Sequence, residues 1–197
     1  DSTDYLIFPE TSFRGGNVGS LLDAPVLNNL KRFVDGYPKL KVITGISTRR
    51  IYVEGEPHNR ATRKFIDRDG KEVFWESYNA AIQLESGSDD IPIYYKSKLV
   101  PGAEMLPYHK ALFFLKPLSD KLGGSLEGYG SQEDREVFYA DGVGVGTEIC
   151  YEATYGQYSL GYVRNGAKAI FIVTNDGWWD NTPGYIQHLL FARLRAI

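Results

Sequence analysis

Apolar residues in this chain come in short runs separated by polar, glycine-rich stretches. The run YLIF over 5–8 predicts a buried strand, and it leads straight into PETSFRGGNVG, a loop able to display a functional side chain. Over 23–36 the residues Val26, Leu27, Leu30, Phe33 and Val34 recur at helical spacing, with Asp23 as the expected cap, Pro25 in the first turn and Gly36 just past the end. The β-branched run LKVITGIS over 40–47 predicts a second strand. Strand, helix, strand is the opening of an α/β sheet.

The middle of the chain changes character. Asp69-Gly70 lies between the apolar runs of RKFIDRDGKEVFW, which predicts a hairpin over 63–75, and SYNAAIQLES with IPIYYKSKLV predicts a second pair joined around 86–90. The DRDG turn resembles the start of a calcium loop, but the later acidic ligands and the closing Glu are missing, so it reads as a turn. Residues 99–124 read as a loop feeding an irregular, helical segment. GVGVGTEIC over 142–150 imitates a dinucleotide-binding glycine pattern, yet it enters a strand where that pattern must open a helix. YGQYSLGYVRNGA predicts a helix ending at Gly166, and KAIFIVTND over 168–176 the clearest buried strand. In the last segment Thr182 is the expected cap, Pro183 the first turn, and Ile186, Leu190, Leu194 and Ile197 fall on one helical face.

Composition narrows the function classes. At 197 residues, 43% hydrophobic and 24% charged, the chain is expected to fold as one globular domain over 1–197. A net charge of -3, with 22 Lys and Arg scattered along the sequence, offers no basic stripe for a phosphate backbone, so nucleic acid is excluded as a partner. A single cysteine makes no internal disulfide and leaves the compartment open. No run approaches the roughly 18 apolar residues of a membrane span. The opening DSTDYLIFPE lacks both an initiator Met and a signal-peptide pattern, as expected of a piece of a longer chain.

Candidate chemistry centres on Cys150. A free cysteine is ordinarily a small buried hydrophobe. Here it stands at a strand end, ahead of a helix whose N-terminal dipole would favour thiolate, between polar neighbours in GTEICYEATYG. A nucleophilic thiol needs a proton acceptor and a group to hold the charge that develops on the attacked carbonyl. His58, His109 and His188 show no local sign of pairing with it, and His188 reads as a capping or core hydrogen-bonding residue. Glu10, emerging from a strand into a glycine-rich loop, is the alternative acceptor. Lys96, at the end of another strand, is either a charge stabiliser or a solvated edge residue.

FPETSF, YYKSKLVPGAE, GTEICYEATYG and VTNDGWWDNTPGYIQHLLFARLRAI, in that order, resemble the nitrilase superfamily of carbon–nitrogen hydrolases. Within it they are most similar to the apolipoprotein N-acyltransferase family, through Cys-Tyr-Glu, LVP followed by Glu, and the tryptophan-rich ending. The resemblance implies a nitrilase-like four-layer α-β-β-α sandwich, truncated at both ends, with no metal and no cofactor. It implies Glu10 as general base, Lys96 as oxyanion stabiliser and Cys150 as nucleophile. Glu104 and Glu152 would be supporting carboxylates that orient the lysine and the substrate, the Tyr151 N–H a second oxyanion donor, and Trp178 and Trp179 an aromatic pair near an acyl-binding mouth.

The implied reaction moves a fatty acyl group from a phospholipid donor, through a Cys150 thioester, to the α-amino group of a diacylglyceryl-cysteine lipoprotein. It would take place on the extracytoplasmic face of the bacterial inner membrane, with membrane attachment through segments outside this chain. PGAE stands where the family usually shows PFGE, which bears on the loop and not on the glutamate. The competing readings are a soluble amidase that transfers the acyl group to water, a non-catalytic interaction domain and, more distantly, a Cys-His protease.

Overall fold

The computed structural model describes residues 3–101, 103–105 and 128–196, except for the side chain of Trp178. His109 and most of the segment expected to be helical between 99 and 124 lie outside the described residues.

The long strands β3 (Lys41–Ile51) and β5 (Glu72–Glu85) pair antiparallel through their whole length and form the spine of the first sheet. β1 (Tyr5–Ile7) and β2 (Phe13–Asn17) run parallel to β3 along its other edge, one after the other. β4 (Arg63–Ile66) and β6 (Ile93–Tyr95) likewise share the far edge of β5. The two expected hairpins therefore share one strand: β5 is the second arm of the Asp69-Gly70 hairpin and the first arm of the next. In the second sheet, β8 (Val143–Ile149) lies between antiparallel β7 (Val137–Ala140) and parallel β9 (Ala167–Val173).

Strand alternation sorts the side chains into layers. Val42, Ile46, Ala80, Ile82 and Leu84 face helix α1 (Pro25–Asp35), which covers them with Leu27 and Val34. Ile43, Ala81 and Tyr94 face the other way and meet Phe138, Val145 and Ile149 of the second sheet. Helix α2 (Gly156–Arg164) lies over the outer face of that sheet, where only a glycine fits beneath it: a Cβ on Gly146 would come within 2.7 Å of the Tyr162 ring. The result is the α-β-β-α order expected from the sequence.

Several local expectations are corrected. Asp23 does not cap α1; it ends a preceding 3-10 segment, Val18–Asp23, and Ala24 stands at the cap. α2 stops at Arg164, and Gly166 follows it with φ +98. Helix α3 (Gly184–Arg195) begins after Pro183, while the Thr182 hydroxyl donates to the Trp179 carbonyl. The two runs read as buried strands are only partly so. Leu6 and Ile7 of β1 are exposed, and β9 is half-buried, because each lies at the edge of its described sheet. An apolar run specifies burial only where a neighbouring layer reaches it.

Candidate active site

Glu10 occupies the gap between β1 and β2. Pro9 ends regular pairing of β1, since it has no N–H to donate, and the chain stays on β3 through the Gly45 N–H donating to the Pro9 carbonyl at 3.2 Å. Gly45 permits this approach: a Cβ there would lie 2.5 Å from Glu10 Cα and 2.7 Å from the Pro9 oxygen. Thr11 then turns the chain with φ +50, a conformation costly for a residue with a Cβ. The Glu10 carboxyl is thereby directed inward, with the residue only 7% exposed.

Lys96 follows the last residue of β6, and its N–H donates to the Asn79 carbonyl at 2.9 Å, which places the two side chains opposite one another on the inter-sheet face. The lysine is 1% exposed. Its amino group donates to Oε1 of Glu10 at 3.0 Å and to Oε1 of Glu104 at 2.9 Å. The Asn79 amide donates to the same two oxygens, at 2.7 and 2.8 Å. Burial acts to lower the lysine pKa, but the negative charges of Glu10 and Glu104 outweigh it and hold the amine above its usual range. The lysine is therefore a cation fixed between two carboxylates. The second oxygen of each carboxylate is held by main chain: Glu104 Oε2 accepts from the Val100 N–H at 2.8 Å, and Glu10 Oε2 from the Asn175 N–H at 3.3 Å.

Cys150 stands at the point where β8 gives way to a 3-10 turn, Cys150–Thr154, and has φ +52. A positive φ on a non-glycine residue at the end of a strand sets its side chain off the pleat and persists only where surrounding contacts enforce it. Glu152 supplies such contacts. Fully buried, it accepts from the Ile149 N–H at 2.8 Å on one side, and from the Tyr94 hydroxyl at 2.6 Å and the Ser97 N–H at 2.6 Å on the other. One carboxylate thus ties the turn at the cysteine to the turn after the lysine. Burial pushes the Glu152 carboxyl up to about 7, against the lowering effect of those donors.

The electrostatics of the sulfur correct one expectation. Lys96 does favour the thiolate, as does a hydrogen bond with the Thr174 side chain, but burial and the Glu10 carboxylate prevail and push the Cys150 thiol up to about 11. The expected helix dipole is absent at this position, since the five-residue 3-10 turn intervenes before α2. The resting group is a thiol beside a carboxylate, not a preformed thiolate.

Further contacts surround the turn that carries Cys150 and place the remaining candidates. His188 of α3 has Nδ1 at 2.8 Å from Asp176 Oδ1 and Nε2 at 3.0 Å from the Cys150 carbonyl, so it touches the cysteine main chain and both its nitrogens are engaged. Arg195, two turns on, donates to the Ala153 and Thr154 carbonyls at 3.1 and 3.2 Å. His58 packs against Phe74, with ring centroids 4.0 Å apart, and against Tyr52. Tyr151 stacks edge-on to Tyr155, and Trp179 is exposed in the 3-10 turn Asp176–Trp179, which also contains Trp178. Among the described residues no group of His, Cys, Asp and Glu could hold a metal ion, and no helix is long and apolar enough to cross a membrane.

Asn79 was legible only as a polar residue in the apolar run YNAAI, and nothing in the sequence paired it with Glu10 or Glu104. His188 was legible as a hydrogen-bonding residue, without its partner.

The carbon-nitrogen hydrolase family model matches residues 3–197. Apolipoprotein N-acyltransferase of Chlorobaculum tepidum is 34% identical over 144 residues, covering 71% of this chain and 26% of the relative. Its counterpart in Azotobacter vinelandii is 26% identical over 206 residues, covering 98% of this chain and 32% of the relative. The chain thus spans about a quarter to a third of the length of these relatives. Among solved structures, a carbon–nitrogen hydrolase superfamily protein of Xanthomonas campestris aligns with a TM-score of 0.56 at 15% identity, covering 100% of this chain and 60% of that one. A Saccharomyces cerevisiae protein from branch 10 of the nitrilase superfamily aligns with a TM-score of 0.55 at 14% identity, covering 88% and 47%. These likenesses establish the fold alone, whereas the family model spans nearly the whole sequence: the chain belongs to the carbon-nitrogen hydrolase family, with the nitrilase-superfamily fold.

Proposed function

We propose that this chain is the catalytic part of a lipoprotein N-acyltransferase, moving a fatty acyl group from a phospholipid to the α-amino group of a diacylglyceryl-cysteine through a thioester on Cys150. The observation that carries the chemistry is the buried Lys96, bonded at once to Glu10 and Glu104 within electrostatic reach of the Cys150 sulfur. The relatives that carry the acyltransferase name support the choice of substrates.

In the first half-reaction Glu10 takes the thiol proton as the sulfur attacks the ester carbonyl, a role matched to a thiol that is protonated at rest. Lys96 and the Tyr151 N–H stabilise the oxyanion of the tetrahedral intermediate. The C–O bond then breaks, Glu10 returns the proton to the departing alkoxide, and a lysophospholipid leaves. In the second half-reaction the α-amine attacks the thioester, Glu10 accepts the amine proton, an amide bond forms and the proton returns to sulfur. Glu104 keeps the lysine in place, Glu152 holds the lysine and cysteine turns together, and Trp178 and Trp179 are assigned to binding the acyl chain. Such substrates put the site on the extracytoplasmic face of a bacterial inner membrane, attached through segments outside this chain.

The test is incubation of the full chain with phospholipid and a diacylated lipopeptide. Appearance of the triacylated lipopeptide, dependent on Cys150, is the expected result. Hydrolysis of small amides without acyl transfer would replace this reading by a hydrolase using the same residues. Absence of any acyl-enzyme on Cys150 would favour a non-catalytic domain.

A further inference from the structure

α3 has no buried residue, yet it lies against the 3-10 turn that begins with Cys150. Polar contacts fasten it there. Arg195 covers the Ala153 and Thr154 carbonyls, and His188, with a side chain only 10% exposed, reaches the carbonyl of Cys150 itself. On its other side the His188 ring meets Asp176 Oδ1, which also accepts from the Thr174 hydroxyl at 3.0 Å. Thr174 is in turn among the groups whose influence favours the Cys150 thiolate. A hydrogen-bonded circuit results: Thr174, Asp176, His188 and the main chain of Cys150.

The partners of the ring fix its role. A carboxylate and a main-chain carbonyl are both acceptors, while a neutral imidazole has one N–H. The bridge is complete only when both ring nitrogens carry protons, and in that form two charge-assisted hydrogen bonds hold the turn. We propose that His188 is a positioning residue for the nucleophile, doubly protonated between Asp176 and the Cys150 carbonyl, holding Cys150 in its left-handed conformation. It donates no proton to the sulfur, because neither ring nitrogen faces it. The charged groups around the circuit are Asp176 from the turn after β9, Arg195 on α3 and Glu10, whose carboxylate meets the neighbouring Asn175 N–H. This inference rests on the reading of Cys150 as the nucleophile.

The experiment has one arm that needs no activity. In the full chain with 15N-labelled histidine, the His188 ring is expected to show both nitrogens protonated, and Asp176→Asn to abolish that signature. A single neutral tautomer in the unsubstituted protein would overturn the proposal. In the second arm, the rate of acyl-thioester formation on Cys150 is followed by mass spectrometry against phospholipid concentration. His188→Ala is expected to lower the maximal rate about tenfold while the concentration for half-maximal rate and the melting temperature hold, and His188→Gln, which keeps a donor toward the carbonyl, to recover part of the loss. An unchanged rate in His188→Ala would overturn the proposal, as would loss of folding in both variants, which marks the residue as purely structural. If the unsubstituted protein forms no thioester, the nucleophile reading fails, and the nitrogen signature alone still decides whether the bridge exists.

Discussion

The amino group of Lys96 donates to Oε1 of Glu10 across 3.0 Å with 1% of the lysine side chain exposed, joining residues 86 positions apart in the sequence. A charge removed from water this completely must be compensated, and Glu104 and Asn79 complete the compensation. The cluster is interdependent, so removing the cation leaves two carboxylates facing one another in a low-dielectric interior.

Lys96→Met is therefore expected to destabilise the fold by about 3–5 kcal/mol and to abolish acyl transfer. Adding Glu104→Gln should restore part of the stability, because one of the two stranded charges is gone, and none of the activity. Urea unfolding of the single and double variants checks the coupling.

The thiol of Cys150, held at about 11, gives a second expectation. Alkylation by iodoacetamide should keep rising with pH beyond the ordinary thiol range, without a plateau near neutrality, since only the thiolate reacts. Glu10→Gln removes a nearby negative charge and should bring the thiol pKa down. Lys96→Met removes the positive one and should move it further up. Rate–pH curves for the three proteins test the signs.

Gly45 has no room for a methyl group, with Glu10 Cα 2.5 Å from the Cβ position. The obstructing atoms, Glu10 Cα, the Pro9 oxygen and the Thr11 nitrogen, are all backbone, so Gly45→Ala must push the Glu10 segment off β3. The expected cost is about 3 kcal/mol, with a loss of acyl transfer of about a hundredfold from misplacement of the carboxylate. Thermal unfolding and turnover measured on the same preparation test this.

Burial raises the Glu152 carboxyl from its ordinary value to about 7, so the folded state binds this proton more tightly than the unfolded chain. The stability it contributes is full below the unfolded carboxyl pKa and is lost as pH rises through about 7, by about 3 kcal/mol. Glu148, also raised by burial, acts in the same direction. Chemical unfolding at pH 5 and pH 8 should show the decline, and Glu152→Gln should flatten it while weakening the hold on the Ile149, Ser97 and Lys98 N–H groups.

Local sequence determined the elements and their order: the proline before Glu10, the Asp-Gly turn, the strand that delivers Cys150, and the helical spacing of α1 are all short-range steric and hydrophobic effects. The ordered motifs also singled out Glu10, Lys96, Glu104 and Cys150 as residues to watch. Only the tertiary structure decided how those residues interact. Whether Lys96 is a solvated edge cation or a buried one depends on what packs over β6, and the second sheet and Glu104 pack there. The Cys150 thiol lies above its ordinary pKa because desolvation and Glu10 act through space and outweigh Lys96, a balance that no spacing along the chain encodes. The partners of Asn79 and His188 come from distant segments for the same reason. A strand pattern states which face a side chain takes, while the charge and hydrogen-bonding state of that side chain are set by whichever layer meets the face.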